Sequence, residues 1–304
     1  APVPKEPAMK RPAAMTTKTR AAVSAASTSS VSTASIANSG TSTDTDGGSA
    51  VSAMLSAPAL SSFSYSGKSD VDLNSGAFIY TYPIDTPAGV AGFTPGIAIS
   101  YDSHSAKSFP GLIGSGWSVS ETYVKRNLNY SYANMNDDYF ELVTDGILQR
   151  LVFLRDDYKY HTEKESYSQI DNSSGNWLVT DKAGTKYFYN VPVKTGNTTY
   201  RWYLSMIRDT HGNEIYYNYR IDNTTVYIDS VEYNNDRLIR VQFNYGSRKD
   251  NSNYYDNGIL QTHKKHINSI NTYFNRSVVF SYSINYECLT PARCVISSIQ
   301  KAGA

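Results

Sequence analysis

Two cysteines are all that 304 residues contain, which excludes a disulfide-dense scaffold and leaves too few thiolates for a Cys-built zinc site. A basic surplus is missing as well. The 28 Lys and Arg face 27 Asp and Glu, for a net charge of +1, so nucleic acid is not an expected partner. No apolar run approaches the roughly 20 residues that a membrane-crossing helix needs. There is no Gly-x-Ser-x-Gly elbow and no extended run with a 3.6-residue apolar period. Residues 261–270 come nearest to one, and they suit a strand equally. The chain opens on Ala and shows no apolar signal core, as expected of a processed protein or of a trimmed one.

Aromatics are absent only locally. The chain has 26 Tyr, 10 Phe and 3 Trp, and none of them precedes Phe63. Residues 1–62 are Ala, Ser, Thr and Pro with a basic start, and lack the large apolar side chains that offset the entropy of ordering. A disordered leader over 1–62 is therefore expected, with the folded part beginning near Phe63 and running over 63–304. That part is long enough to bury a substantial core.

From Phe63 onward the period is two. Residues 77–84, 96–101, 117–124, 200–207, 214–220, 224–233, 238–245 and 277–282 alternate Tyr, Phe, Val, Ile and Thr with polar residues, which suits a pleated, half-buried surface. Asp-Gly, Gly-Asn and Asn-Asn-Asp clusters between them are turn chemistry. The expected class is all-β, with many short antiparallel strands in a sandwich or a curved shell. Segments such as 186–189 (KYFY) and 215–219 (IYYNY) load aromatics onto both faces. A large sheet covered on both sides fits this pattern, and so does an aromatic sugar-binding groove.

One unit occurs twice. Residues 181–189 (DKAGTKYFY) align with 209–217 (DTHGNEIYY), each giving Asp, two spacers, Gly, a small polar residue, one spacer and an aromatic strand. Asp181 and Asp209 can each accept a backbone N–H two residues on, and Gly184 and Gly212 supply the positive φ of a tight hairpin. Asn213 and Tyr217 follow at fixed offsets. A looser third hairpin spans 231–245. Stacked units of this kind bury their faces on their neighbours.

Residues 209–219 (DTHGNEIYYNY) followed by 233–245 resemble the Tyr-Asp repeats of Rhs/YD proteins. Residues 243–250 (FNYGSRKD), with Tyr255 and Gly258, resemble the N-terminal SpvB domain family, which also opens the B component of insecticidal Tc toxins. Residues 67–78, leading to Pro95, Gly96 and the 111–117 segment (GLIGSGW), are similar to the start of that family. The likeness covers about 63–300, and Arg248-Lys249-Asp250 departs from the Arg-Pro-Asp of the family. The resemblance implies a structural role, in which a hollow β-shell encloses a toxic C-terminal effector and docks on a translocation pore. The expected partners are then the remainder of a larger Rhs/YD polypeptide, its effector and a pore component. The array of repeats is expected to be incomplete at the C-terminus of this chain, and the expected location is secreted or extracellular, with a cytoplasmic stage before export.

Candidate chemistry is weighed against simpler roles. Gly111, Gly114 and Gly116 precede Trp117 in a glycine-rich loop. A phosphate loop must open a helix, whereas residues 117–124 read as a strand, so a tight turn beneath a packed Trp117 is expected, with Gly76 as another turn glycine. His263 and His266 point to opposite faces of a strand, which argues against a shared metal and leaves them as surface polar residues. His104, His161 and His211 stand apart from any nucleophile. Asp137, Asp138, Glu141, Asp145, Asp156 and Asp157 are read as turn formers before any glycosidase pair. Cys288 and Cys294 can staple a hairpin in an oxidising compartment or remain two thiols in a reducing one. Five Asn-x-Ser/Thr sequons, at Asn129, Asn172, Asn197, Asn223 and Asn275, are compatible with export. No catalytic residue, cofactor or metal is expected. The alternative is an extracellular adhesin or carbohydrate-binding module that uses exposed aromatics, with Trp177 and Trp202 as candidates.

Overall fold

A computed structural model describes residues 67–73, 75–128, 138–234, 236–290 and 293–303. The expected leader and its boundary at Phe63 lie outside them, as do Asn129 and Asp137.

Alternating aromatic and β-branched residues give strands almost throughout. Four of them, β1 (Lys68–Val71), β2 (Phe78–Pro83), β3 (Ala98–Asp102) and β4 (Trp117–Val119), form a small antiparallel sheet in chain order. At Gly76 (φ 72°), in the β1–β2 turn, the N–H donates to the Asp72 carbonyl at 2.7 Å. The Trp117 ring packs beside Tyr101 (5.2 Å between centroids) and edge-on to Tyr80 (6.2 Å).

The second sheet has sixteen strands. In chain order they are β5 (Thr122–Asn127), β6 (Tyr139–Thr144), β7 (Ile147–Leu154), β8 (Lys159–Thr162), β9 (Gln169–Asp171), β10 (Trp177–Thr180), β11 (Lys186–Tyr189), β12 (Val191–Thr195), β13 (Thr198–Tyr203) and β14 (Met206–Arg208). They continue as β15 (Glu214–Asp222), β16 (Thr225–Tyr233), β17 (Ile239–Asp256), β18 (Ile259–Phe274), β19 (Ser277–Thr290) and β20 (Arg293–Gly303). The spatial order departs from the chain order once, where β12 and β13 cross to the free side of β5 and β14 returns to β11.

That departure curls the sheet. β13 pairs with β5, setting Trp202 opposite Val124. The Leu204 N–H then donates to Thr122 of β5 (3.2 Å), and the Ser205 N–H donates to Phe188 of β11 (2.7 Å). Residues 198–208 thus bond one end of the β5–β11 meander and then the other, drawing it into a ring. Val124, Leu142, Ile170, Trp177 and Trp202 fill it. Trp177 is 1% exposed and Trp202 6%, so neither is the surface sugar platform that the alternative reading needed. The Trp202 Nε1–H donates to the Gly175 carbonyl at 3.0 Å, whereas the buried Trp177 Nε1–H has no partner among the described residues.

A second core lies between the small sheet and β15–β19, built on Ile99, Ile113, Val231, Phe243, Ile267 and Tyr282. Backbone bonds fasten the layers, as where the Ile267 N–H donates to the Leu112 carbonyl at 2.9 Å.

Two expected single strands each divide. Residues 117–124 split at Ser120 and Glu121 into β4 and β5, which belong to different sheets. The split is fixed where Ser120 bonds Ala98 of β3 through N–H and hydroxyl, while the Glu121 N–H donates to Asp145 Oδ1 at 3.1 Å. Residues 200–207 divide at the ring closure already described. Residues 261–270 lie within β18, an uninterrupted strand.

Candidate functional site

Three arrangements stand out from this scaffold. The first is the repeated turn. Asp181 Oδ1 accepts the N–H groups of Ala183 (2.8 Å) and Thr185 (3.0 Å), and Asp209 Oδ1 accepts those of His211 and Asn213 (both 2.8 Å). The Asn213 amide adds a bond to Asp209 Oδ2 at 2.7 Å. Gly184 (φ 87°) and Gly212 (φ 86°) close the two turns with the same backbone geometry. Because β11 pairs with β14, the hairpins lie side by side, and a Cβ on Gly184 would sit 2.8 Å from Cγ2 of Thr210 in the neighbouring turn. Tyr217 follows on β15, where its N–H donates to Ser205 at 2.9 Å, tying the second hairpin to the ring closure.

The second is a buried ion pair that gathers three distant segments. The side chains of Arg248 and Asp250 are 1% and 0% exposed, and they bond through Nε–Oδ1 at 2.8 Å and Nη2–Oδ2 at 3.2 Å. Arg248 Nη1 also donates to the Gly111 carbonyl at 2.9 Å, while Asp250 Oδ2 accepts the Cys294 N–H at 2.8 Å. Burial pushes the Asp250 carboxyl up, but the Arg248 and Cys294 hydrogen bonds and the Arg248 charge together hold it below the usual carboxylate range. The Ser115 N–H completes the node by donating to the Cys294 carbonyl at 3.1 Å. Here the glycines are dictated by space. Gly114 (φ 104°) lies 3.0 Å from the Cys294 carbonyl oxygen, and Gly116 (φ 77°) lies 2.7 Å from the Tyr101 ring, each measured from where a Cβ would stand. Cys294 is bonded to Cys288 across the β19–β20 hairpin (S–S 2.00 Å).

The third is an enclosed charge cluster. Arg201 is buried on β13, with Nη1 donating to the Tyr203 hydroxyl (2.9 Å) and Nη2 to Asp256 Oδ2. Asp256 Oδ1 accepts from Lys125 at 2.7 Å. Burial raises the Asp256 carboxyl and these two cations more than offset it, leaving it low. Burial raises Glu121 too, and there Arg201 and the Tyr203 hydroxyl do not fully compensate.

Several side chains take other places than expected. His263 and His266 are not surface residues. His263 packs edge-on to Phe109 and Tyr254, and His266 stacks on Tyr286 at 4.1 Å. Burial and the Arg248 charge lower both rings, His263 to about 4. Among the described residues no group of His, Cys, Asp and Glu is arranged to hold a metal ion. Glu141 sits within β6 rather than in a turn, Asp138 pairs with Arg126, and Asp145 (φ 50°) is a turn residue. His211 is exposed, and His161 lies between Asp157 and Glu165. Asn172, Asn197, Asn223 and Asn275 are all at turns. The residues missed from sequence are Arg201 and Glu121. Their signal was a charge inside an aromatic strand (Tyr200-Arg201-Trp202) and one at a strand junction.

No family model and no curated protein matches the chain. Solved structures do. The N-terminal domain of effector protein SpvB from Salmonella typhimurium strain LT2 superposes with a TM-score of 0.60 at 17% identity, covering 73% of this chain and 98% of that one. TcdB2-TccC3 superposes at 0.64 and 14% identity over 77% of this chain, and the Photorhabdus luminescens Tc holotoxin pore at 0.61 and 14% over 77%. This chain spans only 16% of the TcdB2-TccC3 chain and 15% of the holotoxin chain. The fold of this protein is that of the SpvB N-terminal domain, which is also the fold of a part of the Tc toxin chains.

Proposed function

We propose that the chain is a non-catalytic structural module of an exported Rhs/YD-repeat toxin. Its sheet contributes wall to a β-shell that encloses a C-terminal effector and docks on a pore-forming partner. The observation that carries this reading is the terminal strand β20. It is eleven residues long, pairs with β19 on one side and ends the sheet order; beyond Cys294, whose N–H and carbonyl are taken by Asp250 and Ser115, no strand pairs with its other edge among the described residues. Free-standing proteins shorten, cover or charge such edges. Here residues 297–300 (SSIQ) carry no charge and no proline, and Lys301 is held by Asp85. A following hairpin in the same polypeptide is the natural neighbour, continuing the meander of β15–β20.

Successive N–H groups of an edge strand point alternately to the paired and the free side. Ser297 is the extra residue of a bulge, so the alternation is regular only beyond it, where Gln300 and Lys301 face Ser283 and Tyr282; of Gln300→Pro and Lys301→Pro, one therefore removes a bond to β19 and the other only blocks the free edge. The expected result, with the chain expressed alone and fused to its following segment, is asymmetric. One variant loses thermal stability in both contexts. The other keeps the stability of the isolated chain but fails to protect the following segment from proteolysis. An isolated chain that stays monomeric at high concentration, and two variants that both leave the fusion protected, would refute edge continuation.

A further inference from the structure

A cavity of about 360 Å³ lies where the filling of the ring meets the second core. Leu142, Val179 and Leu204 form its ring side, and Ile228, Val231 and Phe243 form the side of β16 and β17. Tyr217 and Tyr219 of β15 and Tyr187 and Tyr189 of β11 add aromatic wall. A space of about 150 Å³ holds the six heavy atoms of benzene, so one of this size takes about 14.

The charge around the cavity is of one sign. Glu121, Asp145 and Asp181 line it, and among the described residues no Lys, Arg or His does. Two of the three are already engaged. Glu121 is partly met by Arg201 and the Tyr203 hydroxyl. Asp181 is spent on its turn, with Oδ1 accepting two N–H groups and Oδ2 accepting the Tyr187 hydroxyl at 3.3 Å. Asp145 is different. Its Oδ1 accepts the Glu121 N–H at 3.1 Å, its other oxygen has no partner, and no cation offsets the burial that raises its carboxyl.

Two tyrosine hydroxyls are open as well. Those of Tyr217 and Tyr219 have no hydrogen-bond partner among the described residues, and burial pushes both up. Neither belongs to the unbonded polar atoms that the packing seals off from water, so both open on the cavity that their residues line. After burial, the influence that acts most on the Tyr217 hydroxyl is the Asp145 charge, which places the two groups at one end of the space.

The ligand chemistry follows from these groups. An anion would meet three carboxylates and no cation. A neutral molecule would leave Asp145 without a counter-charge. A primary ammonium has three donors and no acceptor, and it finds here an open carboxylate and hydroxyl oxygens. Aromatic faces attract the same charge. The apolar remainder of the lining takes a hydrocarbon body.

We propose that this cavity binds a small organic amine in its ammonium form, a molecule of up to about 14 heavy atoms whose charged end sits between the Asp145 carboxylate and the Tyr217 hydroxyl. No lining residue belongs to β20, so the site stands or falls independently of the shell reading.

The test uses the full chain and three ligands of nearly one shape, titrated by calorimetry at pH 7: tryptamine, the neutral tryptophol and the anionic indole-3-acetate. Tryptamine should bind at one site with Kd on the order of 0.1 mM. Tryptophol should bind about tenfold more weakly, the worth of one charge-assisted hydrogen bond, and indole-3-acetate should give no saturable heat. Asp145→Asn keeps an acceptor for the Glu121 N–H and tolerates the positive φ of 50°, so the turn survives while the charge is lost. It should bring tryptamine down to the affinity of tryptophol with the circular dichroism unchanged. Tyr217→Phe keeps the ring and should weaken tryptamine by about threefold to tenfold. The proposal is overturned if tryptamine does not saturate below roughly 10 mM, or if tryptophol binds as tightly. Both outcomes are read on the unaltered protein and do not depend on a variant folding. It is also overturned if tryptamine keeps its advantage over tryptophol in Asp145→Asn.

Discussion

Replacing Asp250 with Ala tests whether the buried ion pair holds the glycine loop and the Cys294 hairpin together. Both side chains are essentially inaccessible, at 1% and 0%. Asp250→Ala therefore strands the Arg248 guanidinium without a counter-charge and the Cys294 N–H without an acceptor. Removing one member of a buried pair costs about 3–5 kcal/mol. In a domain of this size each kcal/mol moves the melting point by about 2–4 °C, so Tm should fall by roughly 6–20 °C. The double variant Arg248→Met with Asp250→Leu leaves the Gly111 carbonyl and the Cys294 N–H unbonded but no buried charge. It should be more stable than Asp250→Ala, because replacing a whole buried pair by apolar residues of similar volume is far less costly than halving it. Urea unfolding monitored by tryptophan fluorescence gives both values. The pair also fixes a pH signature. Asp250 titrates lower folded than unfolded, so its contribution is complete above the unfolded value of about 4 and is lost as pH falls through the folded value. Asp250→Ala should remove that part of the acid destabilisation. A loss below about 1 kcal/mol, or equal losses in the single and double variants, would refute the reasoning.

Three further perturbations read other parts of the fold. Gly212→Ala meets open space and should cost only the left-handed strain of about 1 kcal/mol, whereas Gly184→Ala adds a clash with Thr210 and should cost more. Thr210→Ser should recover that excess, and a double-mutant cycle showing no coupling would contradict the stacking of the turns. Reducing the Cys288–Cys294 bond, which closes a short loop, should lower stability by about 2 kcal/mol, measurable as a shift in urea midpoint with and without dithiothreitol; no shift would mean the node holds the hairpin unaided. His263 should stay neutral down to about pH 4 by NMR titration. Because the unfolded ring takes a proton first, near pH 6.5, it should withdraw stability as pH falls from there toward 4, and a ring titrating at the ordinary value would show the site to be open.

What sequence could and could not reveal follows from the range of each interaction. The strands were legible because alternation is a local record of a two-faced surface, and the two Asp turns because Asp, spacers and Gly lie within five residues of each other. The ring was not legible. Residues 200–207 read as one alternating strand, and nothing in that alternation says that its first half bonds β5 and its second half β11. The same limit applied to Trp177 and Trp202, whose burial depends on that closure. His263 and His266 were misplaced for the opposite reason. A polar ring on a strand reads as solvated until the partners that cover it, Tyr254 nearby and Phe109 and Tyr286 from elsewhere in the chain, are in place. Arg248 and Asp250 sit two apart on one strand, so their side chains share a face, and the pair itself was readable. Its reach to Gly111 and Cys294 was not, since those contacts span 137 and 44 residues. Local pattern thus specified the strands, and the fastening of one sheet to the next was decided by single charged or glycine positions with no period of their own.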